Sequence, residues 1–140
     1  MSRPPPELPR DALGLGLRIP HYAHLFEHWP QVGYFELISE NFLGDAWPPR
    51  RHLDRVRERY PIVLHGVGLN LLGEAPLDSA YLDKLCWLAD YVDAPFVTDH
   101  LCWTGAQGLS HHDLLSTPYV ADLIGVGAEA SVPVGLIILI

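Results

Sequence analysis

Near-continuous apolar runs alternate with amphipathic segments along this chain. The apolar runs predict five strands, over residues 13–18, 32–39, 61–65, 94–100 and 132–140. The second run contains Tyr34, Phe35 and Ile38, residue types that favour a pleated strand. Because the runs are apolar on both faces, they are typical of a parallel sheet that is covered on both sides.

The segments between these runs predict four helices, over residues 21–29, 48–60, 77–92 and 118–130. The third helix has the clearest pattern, because Asp78 stands where an N-cap residue is expected. Its apolar face is formed by Leu82, Leu85, Leu88, Ala89 and Val92. Gly125 and Gly127 weaken the fourth helix. We expect loops at residues 66–76 and 101–117, the second with a tight turn at residues 105–108.

The alternation of strand and helix predicts an α/β fold with a parallel sheet. Two architectures fit this order, the doubly wound sheet and the (β/α)8 barrel. The first strand is not followed by a G-x-G-x-x-G loop, since Gly14 and Gly16 lie inside the apolar run. Both architectures bind ligands at the carboxyl ends of the strands, so functional residues are expected there.

Composition and charge are those of a globular protein. The 140 residues fit one domain, with 49% hydrophobic and 19% charged residues. Residues 1–12 predict an extended, Pro-rich lead-in, and residues 13–140 predict the domain itself. The net charge of −8 argues against a basic surface that binds nucleic acid. Basic residues are concentrated within residues 50–59, in a pattern typical of a solvated helix face.

We predict the cellular location from cysteine content, a secretory signal and membrane-spanning segments. Two cysteines do not form a disulfide framework, and the first residues lack the apolar segment of a secretory signal. No apolar run reaches the roughly 18 residues of a membrane-spanning helix. We therefore predict a cytoplasmic protein. The chain stops within an apolar run, from which we expect a shortened or frame-shifted barrel; a small complete fold with a buried last strand is the alternative.

Polar side chains gather at the predicted carboxyl ends of the strands. They are Arg18 and His21 after the first strand, Glu40 and Asn41 after the second, His65 ending the third, and Asp99 and His100 ending the fourth. Each has a structural alternative, because carboxylates cap helices and single histidines often serve only packing. Together on one edge, two imidazoles and two carboxylates suit a divalent metal such as iron, zinc or manganese.

The remaining candidates for chemistry are two cysteines and one polar cluster. Cys86 occupies an apolar position within the third helix and is predicted to lie in the core. Cys102 is interpreted as a packing residue, with a reactive role as the alternative. His111, His112 and Asp113 form a cluster that lines a pocket mouth or supplies an outer-shell hydrogen bond. A turn cap is the alternative for Asp113.

Several motifs occur together and in a fixed order. They are "GLGLRIPHY", "FELISENF", "YPIVLHGVGLNL", "PLDSAYLDKL", "TDHLCWTG" and "HDLLSTPY". With these motifs the chain resembles the multinuclear non-heme iron-dependent oxidase family, formerly domain-of-unknown-function family 692. The resemblance extends over residues 13–119, and "SENF", "LHGV" and "DHLCW" are its most specific parts.

This resemblance implies a (β/α)8 barrel that holds two or three iron ions at its carboxyl-end face. It implies oxidation, with O2, of cysteine residues in ribosomally made precursor peptides that a small partner protein presents. His65 of "LHGV" and His100 of "DHLCW" correspond to iron ligands. The pocket or outer-shell residues that it implies are Arg18, His21, Glu40, Asn41 and Asp99. His112 and Asp113, from the polar cluster described above, are further candidates for this role.

The sequence also departs from the family pattern. Family members are about twice as long, and the segment after Tyr119 lacks the strand ending in "ENV", with its glutamate, that is expected there. We therefore expect the first four to five β/α units of a barrel, with weak metal binding and absent or impaired oxidase activity. A metal-dependent barrel of the sugar-isomerase or endonuclease type is one alternative. A non-catalytic half-barrel that self-associates through open sheet edges is another.

Overall fold

A computed structural model describes residues 7–44, 50–73, 76–106, 109–115 and 136–139. The strands are β1 (Gly14–Gly16), β2 (Tyr34–Ile38), β3 (Ile62–His65), β4 (Val97–His100), β5 (Trp103–Ala106), β6 (Leu109–Leu115) and β7 (Leu136–Leu139). The α-helices are α1 (Tyr22–His28), α2 (Arg50–Arg57) and α3 (Ser79–Val92), and single 3-10 turns occupy Ile19–His21 and Ser39–Phe42.

Three of the four predicted helices are confirmed, each shorter than its pattern suggested. The carboxylate of Asp78 accepts hydrogen bonds from the amides of Ala80 and Tyr81, which confirms this residue as the N-cap of α3. Trp29 and Asp93 end α1 and α3 in the left-handed backbone region. The predicted helix at residues 118–130 lies outside the described residues. Among the helices that are described, none has the length and apolar content to span a lipid bilayer.

All five predicted strands are present and share one sheet. They pair in parallel in the order β1-β2-β3-β4-β7. Within the described part of this sheet, the strands follow one another in chain order, without the reversal of order that a doubly wound sheet has. This confirms the α/β class and the parallel sheet. The order is compatible with part of a (β/α)8 barrel, and closure into a barrel stays a prediction.

One face of this sheet carries the hydrophobic core. The core joins strand residues to helix residues, and its members include Phe35, Leu37, Ile62, Leu64, Val97, Leu25, Leu53, Val56, Leu85 and Leu88. Because side chains alternate along a strand, the neighbours of these strand residues point to the other face. That other face therefore carries Glu36, His65 and Thr98.

Two glycines in β1 leave room for larger side chains on that second face. A Cβ atom on Gly14 would lie 2.2 Å from the ring of Tyr34, and one on Gly16 would lie 3.3 Å from the guanidinium carbon of Arg18. The alternation of leucine and glycine in "LGLGL" is thus a packing pattern: leucines occupy one face, and Tyr34 and Arg18 cover the other.

The prediction of a loop at residues 101–117 is wrong over most of its length. Strands β5 and β6 form an antiparallel hairpin there. The side chain of Asn70 anchors it, since its amide accepts from the amide of Thr104 at 2.6 Å and donates to the carbonyl of Gly105 at 3.4 Å. The hairpin depends on this tertiary contact, which a local pattern of glycines and polar residues does not reveal.

Candidate metal-binding site

His65 and His100 come together at the carboxyl ends of β3 and β4. Their Nε2 atoms lie 3.1 Å apart, and their rings meet edge to face with centroids separated by 4.8 Å. The parallel pairing of the two strands causes this, because it places His65 opposite Thr98, two residues before His100 on the same face. The two Nε2 atoms therefore face each other, in hydrogen-bond contact.

The other ring nitrogen of His65 is held by a buried hydroxyl. Nδ1 of His65 lies 2.8 Å from Oγ1 of Thr98, in hydrogen-bond contact. Burial lowers the pKa of His65, and the neighbouring His100 and Arg18 lower it further, while Glu36 and Glu40 act in the opposite direction. The ring is thereby held in its neutral form, which is the form that binds metal ions.

Glu40 follows β2 and is fixed by two donors. Its Oε1 accepts a hydrogen bond from the amide of Val67 at 2.8 Å and another from the hydroxyl of Tyr81 at 2.5 Å. Burial, followed by this hydrogen bond to Glu40, raises the pKa of Tyr81, so the phenol stays protonated and donates. Oε2 of Glu40 is buried and has no hydrogen-bond partner within the described part of the chain.

Asp99 lies on the opposite face of β4 from the two histidines. Its side chain is completely buried, and Oδ1 accepts a hydrogen bond of 2.7 Å from the amide of His100. Burial raises the pKa of this carboxyl to about 7, against the opposing effect of the hydrogen bond from His100. The carboxylate thus fixes the backbone that carries His100 and does not face the pair of imidazoles.

The remaining predicted site residues are placed less centrally. Arg18 is half-buried above Gly16, and its Nη1 has no partner within the described residues. His21 ends a 3-10 turn and Asn41 lies within the other, both exposed to solvent. His112 and Asp113 belong to β6, and nothing beyond their place in that strand is described.

Neither cysteine has the features of a reactive thiol. Cys102 is buried, as its interpretation as a packing residue predicted. The prediction that Cys86 lies in the core is wrong, because this residue is only partly buried. Burial raises the pKa of both thiols, with nearby carboxylates adding to the effect. A raised pKa keeps a thiol protonated and therefore poorly nucleophilic.

A second pair of histidines, on α1, has a different geometry. The rings of His24 and His28 are stacked, with centroids 4.2 Å apart, and Nδ1 of His28 is hydrogen-bonded to the carbonyl of His24. Both residues are exposed. This pair is therefore stacked and exposed, whereas His65 and His100 meet edge to face with their Nε2 atoms 3.1 Å apart.

Comparison with known proteins identifies the family. The family model for the RiPP precursor modification enzyme MbnB/TglH/ChrH matches residues 12–131. The chain belongs to this family. Its membership confirms the resemblance drawn from the six motifs, and it places "LHGV" and "DHLCW", with His65 and His100, inside the matched region.

Relatives of this RiPP-modifying family share much of the sequence. A UPF0276 protein of Caulobacter vibrioides strain NA1000 is 47% identical over 119 residues, which are 84% of this chain and 42% of the relative. One from Rhizorhabdus wittichii is 45% identical over 84% of this chain and 43% of its own length. One from Acaryochloris marina is 41% identical over 83% and 42%. The chain thus spans less than half the length of these relatives.

Sequence reasoning did not identify Thr98, Tyr81 or Gly66 as part of this region. Thr98 carries a usable signal, since it lies two residues before His100 and so shares its face of the strand. Tyr81 carries none, because its contact with Glu40 joins residues 41 positions apart. Within the described residues, no three His, Cys, Asp or Glu side chains form a potential metal cluster. The two imidazoles are therefore the centre of the candidate site.

Proposed function

We propose that this chain supplies two ligands, His65 and His100, to a multinuclear non-heme iron site in an enzyme that modifies RiPP precursor peptides. Membership of the RiPP precursor modification family supports the class of substrate. The observation that carries the metal proposal is the 3.1 Å separation of the two Nε2 atoms at adjacent strand ends.

The separation of the two nitrogens fits a shared ion. A metal–imidazole bond is about 2.1 Å long, so two nitrogens bound to one ion at a right angle lie about 3.0 Å apart. The observed 3.1 Å agrees with this value. Imidazole is also a ligand type that suits iron among the divalent metals.

The chain's own residues would prepare this site. Burial keeps His65 neutral, and the hydrogen bond that the His100 amide donates to Asp99 fixes the backbone beside the second ligand. Arg18 lies on the same face and places positive charge where an anionic group of a peptide would be attracted. Iron held by the two histidines would supply the redox chemistry that cysteine oxidation by O2 requires.

The proposed substrate is a cysteine residue in a precursor peptide, presented by a small partner protein. The chain alone would bind iron weakly, because a stable site has three or four protein ligands and His65 with His100 supply two. Two or more tightly bound irons per chain, together with turnover of a cysteine-containing peptide, would contradict this expectation. Zinc or manganese as the preferred metal would instead favour the isomerase-like or endonuclease-like alternative.

The first prediction tests the ligands by substitution. His65→Ala and His100→Ala should each lower the Fe(II) affinity of the chain by at least about tenfold, since removal of one of two ligands leaves a single imidazole. Anaerobic equilibrium titration with Fe(II) measures this change in affinity. His24→Ala and His28→Ala are the matched controls, because they remove histidines of an exposed, stacked pair on α1. Equal losses in both sets of variants would overturn the assignment.

A further inference from the structure

Thr98 lies beside His65 on the face of the sheet that carries both imidazoles. The β3–β4 register places the two residues directly opposite each other. Oγ1 of Thr98 is 2.8 Å from Nδ1 of His65 and 3.3 Å from the carbonyl oxygen of Leu64. Thr98 is 7% exposed, so these two protein groups are the principal neighbours of a hydroxyl that is nearly shielded from water.

The two contacts together assign the ring proton of His65. A hydroxyl has one proton to donate, and a carbonyl oxygen only accepts. Both contacts are hydrogen bonds at the same time only if the hydroxyl donates to the carbonyl of Leu64 and its oxygen accepts from Nδ1 of His65. With both bonds made, Nδ1 of His65 carries the ring proton. A neutral imidazole has one N–H, and its lone pair must then be on Nε2, the atom that faces His100.

We propose that Thr98 is a positioning residue: it holds His65 in the Nδ1–H tautomer and so presents the Nε2 lone pair to a metal ion. The metal-binding part rests on the proposed function, whereas the tautomer does not. An outer-shell hydrogen bond of this kind fixes both the tautomer and the orientation of a metal-binding histidine. A hydroxyl partner also adds no charge, so it leaves the ring neutral.

The tautomer is measured first, in the full chain without metal. Long-range proton–nitrogen NMR spectra at a pH above neutrality should show a protonated Nδ1 and an unprotonated Nε2 for His65. Thr98→Val should release this preference, since valine keeps the shape of the side chain without the hydroxyl. Thr98→Ser should restore it. Thr104→Val makes the same threonine-to-valine substitution in β5 and serves as the control.

Metal affinity is measured second, with Fe(II) alone under anaerobic conditions. Thr98→Val should bind Fe(II) about 10- to 100-fold more weakly than the wild-type chain. Thr98→Ser and Thr104→Val should bind it as the wild type does. If Thr98→Val does not fold, the wild-type spectrum still decides the tautomer. The Fe(II) affinities of Thr98→Ser, which keeps the hydroxyl, and Thr98→Ala, which lacks it, are then compared instead.

Two results would overturn the inference. One is a wild-type His65 that is protonated at Nε2, and the other is a Thr98→Val chain whose tautomer and Fe(II) affinity are unchanged. Failure of the wild-type chain to bind Fe(II) would contradict the proposed function, while the NMR spectra would still confirm or overturn the role of Thr98. The two failures are therefore distinguishable.

Discussion

Gly66 follows His65 at the point where the chain leaves β3, and the buried carboxylate of Asp99 packs directly against it. A Cβ atom on Gly66 would lie 2.2 Å from Oδ2 of Asp99, closer than two such atoms approach. The amide of Gly66 also donates a 2.7 Å hydrogen bond to the carbonyl of Thr98. The absence of a side chain at this position thus lets β3 and β4 approach each other just below the histidines.

Gly66→Ala should therefore destabilise the chain by about 1–3 kcal/mol, because the extra methyl group displaces a carboxylate that is packed and hydrogen-bonded. Urea denaturation of the metal-free protein measures this change in the free energy of unfolding. Gly44→Ala is the control, since nothing lies within 4 Å of its added Cβ atom, and its effect should stay within about 0.5 kcal/mol. Equal stability of the two variants would contradict the tight contact.

The site residues that could be predicted from the sequence were ionisable residues at the ends of apolar strands. His65 and His100 are ionisable groups at the ends of apolar strands, and the structure brings their rings together. Asp99 was also located at a strand end, but the alternation of side chains turns it to the other face of β4. Thr98 was missed because threonine is an ordinary strand residue, and its role depends on register across two strands.

The side chain of Asn70, in the loop after β3, is hydrogen-bonded to the backbone of β5 in the β5–β6 hairpin. Asn70 adopts a left-handed backbone conformation with φ of 53°, and its side-chain amide pairs with the backbone of Thr104 and Gly105 as a peptide group would. A separate hydrogen bond runs from the amide of Leu72 to the carbonyl of Cys102. The loop after one histidine thereby positions the segment that follows the other.

Asn70→Gly should loosen this hairpin without straining the loop, because glycine keeps the left-handed conformation and removes the side-chain amide. Amide hydrogen exchange at Thr104 should become at least about tenfold faster, since its acceptor is lost. Exchange at Leu72, whose acceptor is the carbonyl of Cys102, serves as the internal control and should change less. Unchanged protection at Thr104 would show that the hairpin is stable without Asn70.

Elements that depend on a local pattern of residues were predictable, whereas the hairpin, which depends on a contact between distant residues, was not. The five parallel strands and three of the helices follow from hydrophobic periodicity, since each depends mainly on its own pattern of buried residues. The hairpin is different, because Asn70 and Thr104 are 34 positions apart in sequence. The end of α3 at Val92 was also predicted, whereas α1 ends at His28, one residue earlier than predicted, where Trp29 adopts the left-handed conformation.

Among the described residues, three of the five exposed large hydrophobic side chains lie in or near β1, which is at one end of the parallel sheet. Leu13 is 83% exposed, Leu15 is 54% exposed and Ile19 is 64% exposed. Three large apolar side chains close together in sequence form a surface that favours association with another apolar surface. A strand at the end of a sheet adds backbone groups for pairing.

We therefore expect the chain to self-associate through the β1 end of the sheet. Leu15→Lys should weaken this association, because a charged side chain on an end strand opposes strand-to-strand contact. Sedimentation velocity over a range of protein concentrations measures the change. Leu114→Lys is the matched control, since Leu114 is also an exposed leucine, at 45%, but lies in β6. A wild-type chain that stays monomeric at every concentration, or equal effects of the two substitutions, would exclude β1 as the contact.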